Sequence, residues 1–276
     1  MTQIFNKSGK TPLIKIEELC RKFDLPNLLI KDESQNPFGT WKDRRSELII
    51  KRALQSSINT LCLITSGNAG FSLAMFARES KLQVTSIIDT KLPASIKGSL
   101  EKACTKIVET DLSAKILSTE EIIELAKESP QENLWDVTNG FEKAYEPIIQ
   151  ELAEKAAPDY IICPIGSGEA FVGLFNGLEK TKLETKLIGV LPESSSSLAD
   201  KLNTSWTPYS SKLEAIVKTG HQILKMNEEE IQKSFNLANT LMKCEPSSAL
   251  VLGALDKLKF EKSDKIVIIN SGQGLI

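Results

Sequence analysis

Short apolar runs rich in β-branched residues alternate along the chain with longer stretches whose apolar positions recur at helical spacing. The runs LLIK (28–31), LCLIT (61–65), VTSII (84–88), KIVE (106–109), LWDVT (134–138), YIICPI (160–165), LIGVL (187–191) and KIVIIN (265–270) predict strands. The stretches 42–55, 69–79, 119–128, 142–157, 170–180, 228–243 and 247–258 predict helices. Strands that alternate with helices predict βαβ units and parallel sheets. Unbroken apolar strands such as YIICPI are expected to be covered on both faces. The serine run 194–197 follows a strand and is expected to open a helix or a loop. In such folds ligands bind at the carboxyl ends of the strands. The loops directly after each strand therefore carry the functional information.

Composition narrows this picture. A chain of 276 residues allows two compact domains or one large one. A net charge of −2 sets up no field that attracts nucleic acid, and the acidic run Glu228-Glu229-Glu230 reads as a solvated helix face. The five cysteines (Cys20, Cys62, Cys104, Cys163 and Cys244) show no CxxC spacing and are expected to be buried thiols of a reducing compartment. His221 is the only histidine, so a histidine zinc site or a Ser-His-Asp triad would hang on one residue in a polar stretch, and neither is expected. No apolar run reaches the ~18 residues of a membrane span, and the opening MTQIFNKSGK lacks the apolar core of a signal peptide. The expectation is a cytoplasmic protein with no nucleic-acid or membrane partner.

Four segments carry candidate chemistry. In NPFGTWKDRR (36–45) a turn precedes Lys42 on the first turn of a helix, where the macrodipole disfavours a cation. A lysine that must be neutral to react fits there; the alternative is a surface lysine in a polar turn. Asp43 and Arg44 suit a helix start and its ion pairs. TSGNAG (65–70) follows a strand and opens an apolar helix. Its small residues leave backbone N–H groups available to an anion, or Ser66 or Asn68 simply caps the helix. PIGSGEAFVG (164–173) has Gly166 and Gly168 where a phosphate cup would need them, or is an ordinary tight turn. It matches GxGxxG poorly because Phe171 occupies the third glycine position, which counts against a dinucleotide-binding dehydrogenase. NSGQG (270–274) follows the last strand.

Taken in order, GKTPLIKI, KDESQNPFGTWKDR, TSGNAG, PIGSGEAFVG, EPSSALVLGAL and NSGQG resemble the motifs of the fold type II pyridoxal-phosphate enzymes, the tryptophan synthase β-like group, and most closely those of threonine synthase. The resemblance implies an α/β fold of two open twisted domains with mostly parallel sheets and the cofactor, pyridoxal 5'-phosphate, in the cleft between them. Residues 1–43 plus 139–276 would form the large domain and 44–138 the small mobile one. Lys42 matches the lysine that forms the Schiff base. Free lysine has a pKa near ~10.4, and neutrality at pH 7 takes about 4 kcal/mol, more than a helix start supplies; desolvation must add the rest. Asn68 matches the partner of the cofactor's phenolic oxygen. Thr65, Ser66 and the amide of Ala69 match the clamp on the substrate carboxylate. Gly166, Ser167, Gly168, Glu169 and Ala170 match the phosphate cup. Ser271 matches the hydroxyl that faces the pyridine nitrogen. Glu245, opening EPSSA, would lie near the cofactor ring, or Pro246 merely begins a helix there.

Three departures bear on the reaction. Glu169 replaces a glycine of the cup, and its carboxylate is expected to turn outward or repel the phosphate. TNGFEKAY keeps Asn139 but lacks the arginine of NPxRxxG, which weakens the match to a substrate phosphate. The chain is short for threonine synthase, so an effector domain is not expected. The resemblance implies a homodimeric lyase that converts phosphohomoserine to threonine and phosphate. The alternatives are β-replacement or β-elimination on a small amino acid, as in cysteine synthase or serine/threonine dehydratase, and a family member that binds the cofactor without turnover.

Overall fold

A computed structural model describes residues 6–113, 115–129, 132–203 and 207–275. The segment MTQIF at the start of the leader reading lies outside the described residues. In chain order the regular elements are β1 (Leu13–Ile14), α1 (Glu17–Phe23), β2 (Leu28–Asp32), α2 (Lys42–Gln55), β3 (Thr60–Ile64), α3 (Asn68–Ser80), β4 (Gln83–Asp89), α4 (Ala94–Ala103), β5 (Lys106–Thr110), α5 (Thr119–Ala126) and β6 (Leu134–Asp136). They continue with α6 (Glu146–Lys155), β7 (Tyr160–Pro164), α7 (Glu169–Thr181), β8 (Lys186–Pro192), α8 (Ser210–Lys218), β9 (Gln222–Met226), α9 (Glu228–Asn239), α10 (Pro246–Ala249), α11 (Gly253–Lys257) and β10 (Ile266–Asn270).

The chain forms two compact units. One comprises Lys42–Phe141 with a few residues from either chain end; the other comprises Gly9–Trp41 and Glu142–Gly274. In the first unit four parallel strands run in the order β5-β4-β3-β6. The second holds six strands in the order β1-β2-β10-β7-β8-β9. All its pairings are parallel except that of β1, which runs antiparallel to β2. This is the alternating α/β class with mostly parallel sheets.

Local chemistry sets the boundaries. α5 starts with a capping box between Ser118 and Glu121, and α9 with one between Asn227 and Glu230. In α7 the apolar Phe171, Leu174 and Leu178 are buried, and Gly173 lets the helix approach the segment at Glu142. A Cβ at Gly173 would stand 2.1 Å from the carbonyl oxygen of Glu142. β10 is buried at every position, as its unbroken apolar run requires between β2 and β7.

Several expectations are revised. The stretch 142–157 is a 3-10 turn, Glu142–Tyr145, followed by α6, with Pro147 in the first turn of the α-helix. The stretch 247–258 breaks into α10, a 3-10 turn (Leu250–Leu252) and α11. The serine run is a loop, one of its two expected forms. Cys104 is only half-buried, whereas the other four cysteines are buried. Burial pushes the thiols of Cys62 and Cys244 up to about 12, and raises those of Cys20, Cys104 and Cys163. Among the described residues no helix is long and apolar enough to cross a membrane.

Candidate active site

The first unit gathers Thr65, Ser66, Asn68, Ala69 and Asn139 at the carboxyl edge of its sheet. β3 and β6 pair in parallel with Cys62 opposite Asp136, so the loops that leave both strands emerge side by side. Thr138 fastens them: its Oγ1 accepts the N–H of Ile64 at 3.1 Å and donates to Asp136 at 2.6 Å. Asn139 follows directly and is half-buried. The Arg45 guanidinium, itself buried, donates to the carbonyls of Val137 and Thr138 and lies 5.1 Å over the Phe141 ring. It holds the same loop from α2.

The start of α3 differs from the simple cap considered above. Neither Ser66 nor Asn68 occupies the capping position; Gly67 does, at φ +140 and with no side-chain cap. Thr65 Oγ1 accepts the N–H of Gly67 at 3.1 Å and of Gly70 at 3.0 Å. Thr65 therefore shapes the loop with its oxygen and keeps only its hydroxyl proton for a ligand. Gly70 is obligatory here, since a Cβ would stand 2.6 Å from Thr65 Cγ2. Ser66 is exposed, while Asn68 and Ala69 are half-buried. Lys42 is the first residue of α2 and is half-buried. Next to it Asp43 is fully buried and accepts from Ser72 Oγ at 2.6 Å.

The second unit joins the remaining motifs through its backbone. The Ser271 carbonyl accepts Trp41 N–H at 2.9 Å, and the Ser271 N–H donates to Ser248 Oγ at 2.8 Å. Ser248 in turn donates to Asn270 Oδ1 at 2.8 Å. Glu245 N–H reaches the Gly272 carbonyl at 3.0 Å, and Gln273 N–H reaches that of Gly39 at 3.1 Å. The NPFGTW loop, the NSGQG loop and the EPSS turn are thus one hydrogen-bonded cluster, and Lys42 is the next residue along from Trp41. Glu245 stands at the capping position of α10 but does not cap it with its side chain. Its carboxylate pairs with the Lys201 ammonium, with the two side chains 8% and 14% exposed. Lys201 has no sequence signal: it belongs to no motif, and its partner lies 44 positions away.

The cup lies at the carboxyl edge of the second unit's sheet, after β7. Gly166, Ser167 and Gly168 lead from β7 into α7, and Gly168 has φ +90. A Cβ on Gly168 would meet Leu213 at 3.0 Å, and one on Gly166 would meet the Lys201 carbonyl at 3.4 Å. Among the described residues no protein acceptor takes the amides of Gly166, Ser167 or Gly168. With the uncapped start of α7 they form a donor set of the kind that binds a phosphate. Glu169, expected to turn outward or repel, is buried at 2% exposure, so the side chain does not reach solvent.

Two units of mostly parallel strands with small-residue loops at their carboxyl edges present the ligand-binding geometry of open α/β sheets. The chain belongs to the pyridoxal-phosphate dependent enzymes, whose family model matches residues 4–272. It is 25% identical over 192 residues to a threonine synthase of Methanosarcina acetivorans, a match that covers 64% of this chain and 44% of that protein. Its fold matches cysteine synthase of Entamoeba histolytica with a TM-score of 0.80 at 19% identity, covering 99% of this chain and 88% of the other. It also matches the L-serine ammonia-lyase of Rhizomucor miehei with a TM-score of 0.79 at 19% identity, covering 98% and 95%. The cofactor is pyridoxal phosphate, and the donor set of the cup fits its phosphate.

Proposed function

We propose that the protein is a pyridoxal-phosphate-dependent lyase, threonine synthase-like, that releases phosphate from phosphohomoserine and forms threonine. The observation that carries this reading is the cluster around Ser271, which ties the residue before Lys42 to the NSGQG and EPSS motifs at 2.8–2.9 Å. The order of the motifs and the likeness to the Methanosarcina acetivorans threonine synthase support the choice of reaction.

Bound pyridoxal phosphate supplies an aldehyde that captures an amine and a conjugated ring that draws electrons from Cα. Lys42 Nζ would hold it and would take and return the Cα proton. The amides of Gly166 to Ala170 would hold the phosphate, and Asn68 would donate to the phenolic oxygen. Ser271 would offer the ring nitrogen a hydroxyl in place of a carboxylate, which would favour elimination and replacement over transamination. Thr65, Ser66 and the Ala69 amide take the substrate carboxylate. Asn139 lies beside that loop, and Glu245 would lie near the cofactor ring.

The absence of an arginine after Asn139 favours a second reading, β-elimination or β-replacement on a substrate without a phosphate. Separate incubations with phosphohomoserine, O-acetylserine and threonine decide between them. Phosphate and threonine from the first support the proposal; no phosphate from it, with keto acid from threonine, overturns it. The same reading takes a small amino acid as the ligand and a homodimer as the working form, which light scattering of the purified protein checks.

A further inference from the structure

Lys201 sits in a 3-10 turn, Asp200–Leu202, on a loop built with unusual care. Asn203 closes the loop by accepting Ser196 N–H at 2.8 Å and donating to the Ser196 carbonyl at 2.7 Å. Ala199 is fully buried beneath it, with its N–H on Ser196 Oγ at 2.8 Å. Glu228 at the start of α9 accepts Ser196 Oγ at 2.5 Å and the amides of Ser197 and Leu198 at 3.0 Å each. These serine hydroxyls hold the Glu228 carboxyl below the usual carboxylate range. The serine run is thus the frame that fixes Lys201.

What the frame presents is a charge at the cofactor motifs. The Lys201 carbonyl lies 3.4 Å from where a Cβ on Gly166 of the cup would be. Its ammonium lies 3.6 Å from the Cβ position of Gly274, and Glu245 Oε2 lies 3.3 Å from that same position. The pair is largely buried, at the carboxyl edge where ligands bind in such sheets. A buried ion pair adds little stability over an apolar pair of similar volume, but removing one partner leaves the other as an uncompensated charge.

We propose that Lys201 is a positioning residue of the pyridoxal-phosphate site: it neutralises Glu245 and holds it in place, so that the pair acts as one unit in setting cofactor affinity. This rests on the proposed function. Without Lys201, the Glu245 carboxylate loses a positive partner beside a site for an anionic cofactor.

Apo forms of wild type, Lys201→Met, Lys201→Arg, Glu245→Gln and the double variant Lys201→Met/Glu245→Gln are titrated with pyridoxal phosphate and followed by fluorescence, with apo Tm measured alongside. Lys201→Met is expected to raise the Kd at least about tenfold in the wild-type background, and less than about threefold in the Glu245→Gln background. Lys201→Arg is expected to stay within about threefold of wild type. A Kd unchanged by Lys201→Met despite a lowered apo Tm overturns the proposal, as does an equal loss in both backgrounds. Lys201→Gln replaces Lys201→Met in the same cycle if that variant does not fold. A wild type that binds no pyridoxal phosphate fails the underlying reading instead, so the two failures are distinct.

Discussion

Lys31 is the most demanding charge in the second unit. Its side chain is 1% exposed, and its ammonium donates to the Thr11 carbonyl at 2.6 Å and to Glu151 at 2.5 Å, with Glu33 at 4.0 Å. Glu33 is fully buried and also accepts from Thr11 Oγ1 at 2.6 Å and Asn36 Nδ2 at 2.9 Å. Asn36 Oδ1 accepts Gly9 N–H at 2.8 Å, so the network clamps the Gly9–Thr11 segment onto the loop that leads to Lys42. Replacing Lys31 by Met keeps the aliphatic stem and removes the charge. At an effective dielectric near ~20 a pair at ~4 Å carries about 4 kcal/mol of gross attraction. Breaking a buried pair from one side costs about 3–5 kcal/mol net, because the carboxylates lose the Lys31 charge. At roughly 2–4 °C per kcal/mol for a chain of this size, Tm should fall by about 10 °C. Urea unfolding followed by far-UV circular dichroism gives the loss directly. The double variant Lys31→Met/Glu151→Gln should recover at least about 1 kcal/mol, since one stranded charge is gone. A loss under about 1 kcal/mol for Lys31→Met, with unchanged m-value, would refute this reasoning.

Other expectations follow from single contacts. His221 Nδ1 accepts the N–H of Leu187 at 2.9 Å, and burial lowers the imidazole pKa. Its contribution to stability is present above the unfolded pKa of ~6.5 and is lost as pH falls through the folded value. Denaturant midpoints measured at falling pH should therefore drop more steeply for wild type than for His221→Asn. Gly173→Ala must displace the Glu142 carbonyl from a 2.1 Å approach and should cost at least about 1–3 kcal/mol. Gly98→Ala, in α4 with nothing within 4 Å of the added Cβ, should stabilise by about 0.5–1 kcal/mol. Chemical unfolding of both checks the pair, and a destabilised Gly98→Ala would contradict it.

Much of the fold was legible because parallel strands buried on both faces read as unbroken apolar runs, as YIICPI and KIVIIN do. β9 was not, because it is an edge strand whose QILKM carries an exposed Lys225 and only one buried residue, Met226. α4 was missed because Gly98 and Ser99 dilute its apolar face. The stretch 247–258 reads as one helix, and its breaks at the 3-10 turn left no mark, since most of its positions are buried. At the site, glycine, serine and asparagine mark strand-end loops locally, so TSGNAG, GSG and NSGQG could be found by eye. Partners could not. The bond between Ser271 and Trp41 spans most of the chain, the double duty of Thr65 Oγ1 depends on loop shape, and the Lys201–Glu245 pair joins two loops with no shared motif.

The central claim is that Lys42 is the amine that tethers pyridoxal phosphate. Borohydride reduction of the cofactor-loaded protein, followed by peptide mass spectrometry, tests it without any substrate. One pyridoxyl group on Lys42, absent from Lys42→Ala, is the predicted result; an adduct mapped to another lysine, or none at all, contradicts the account.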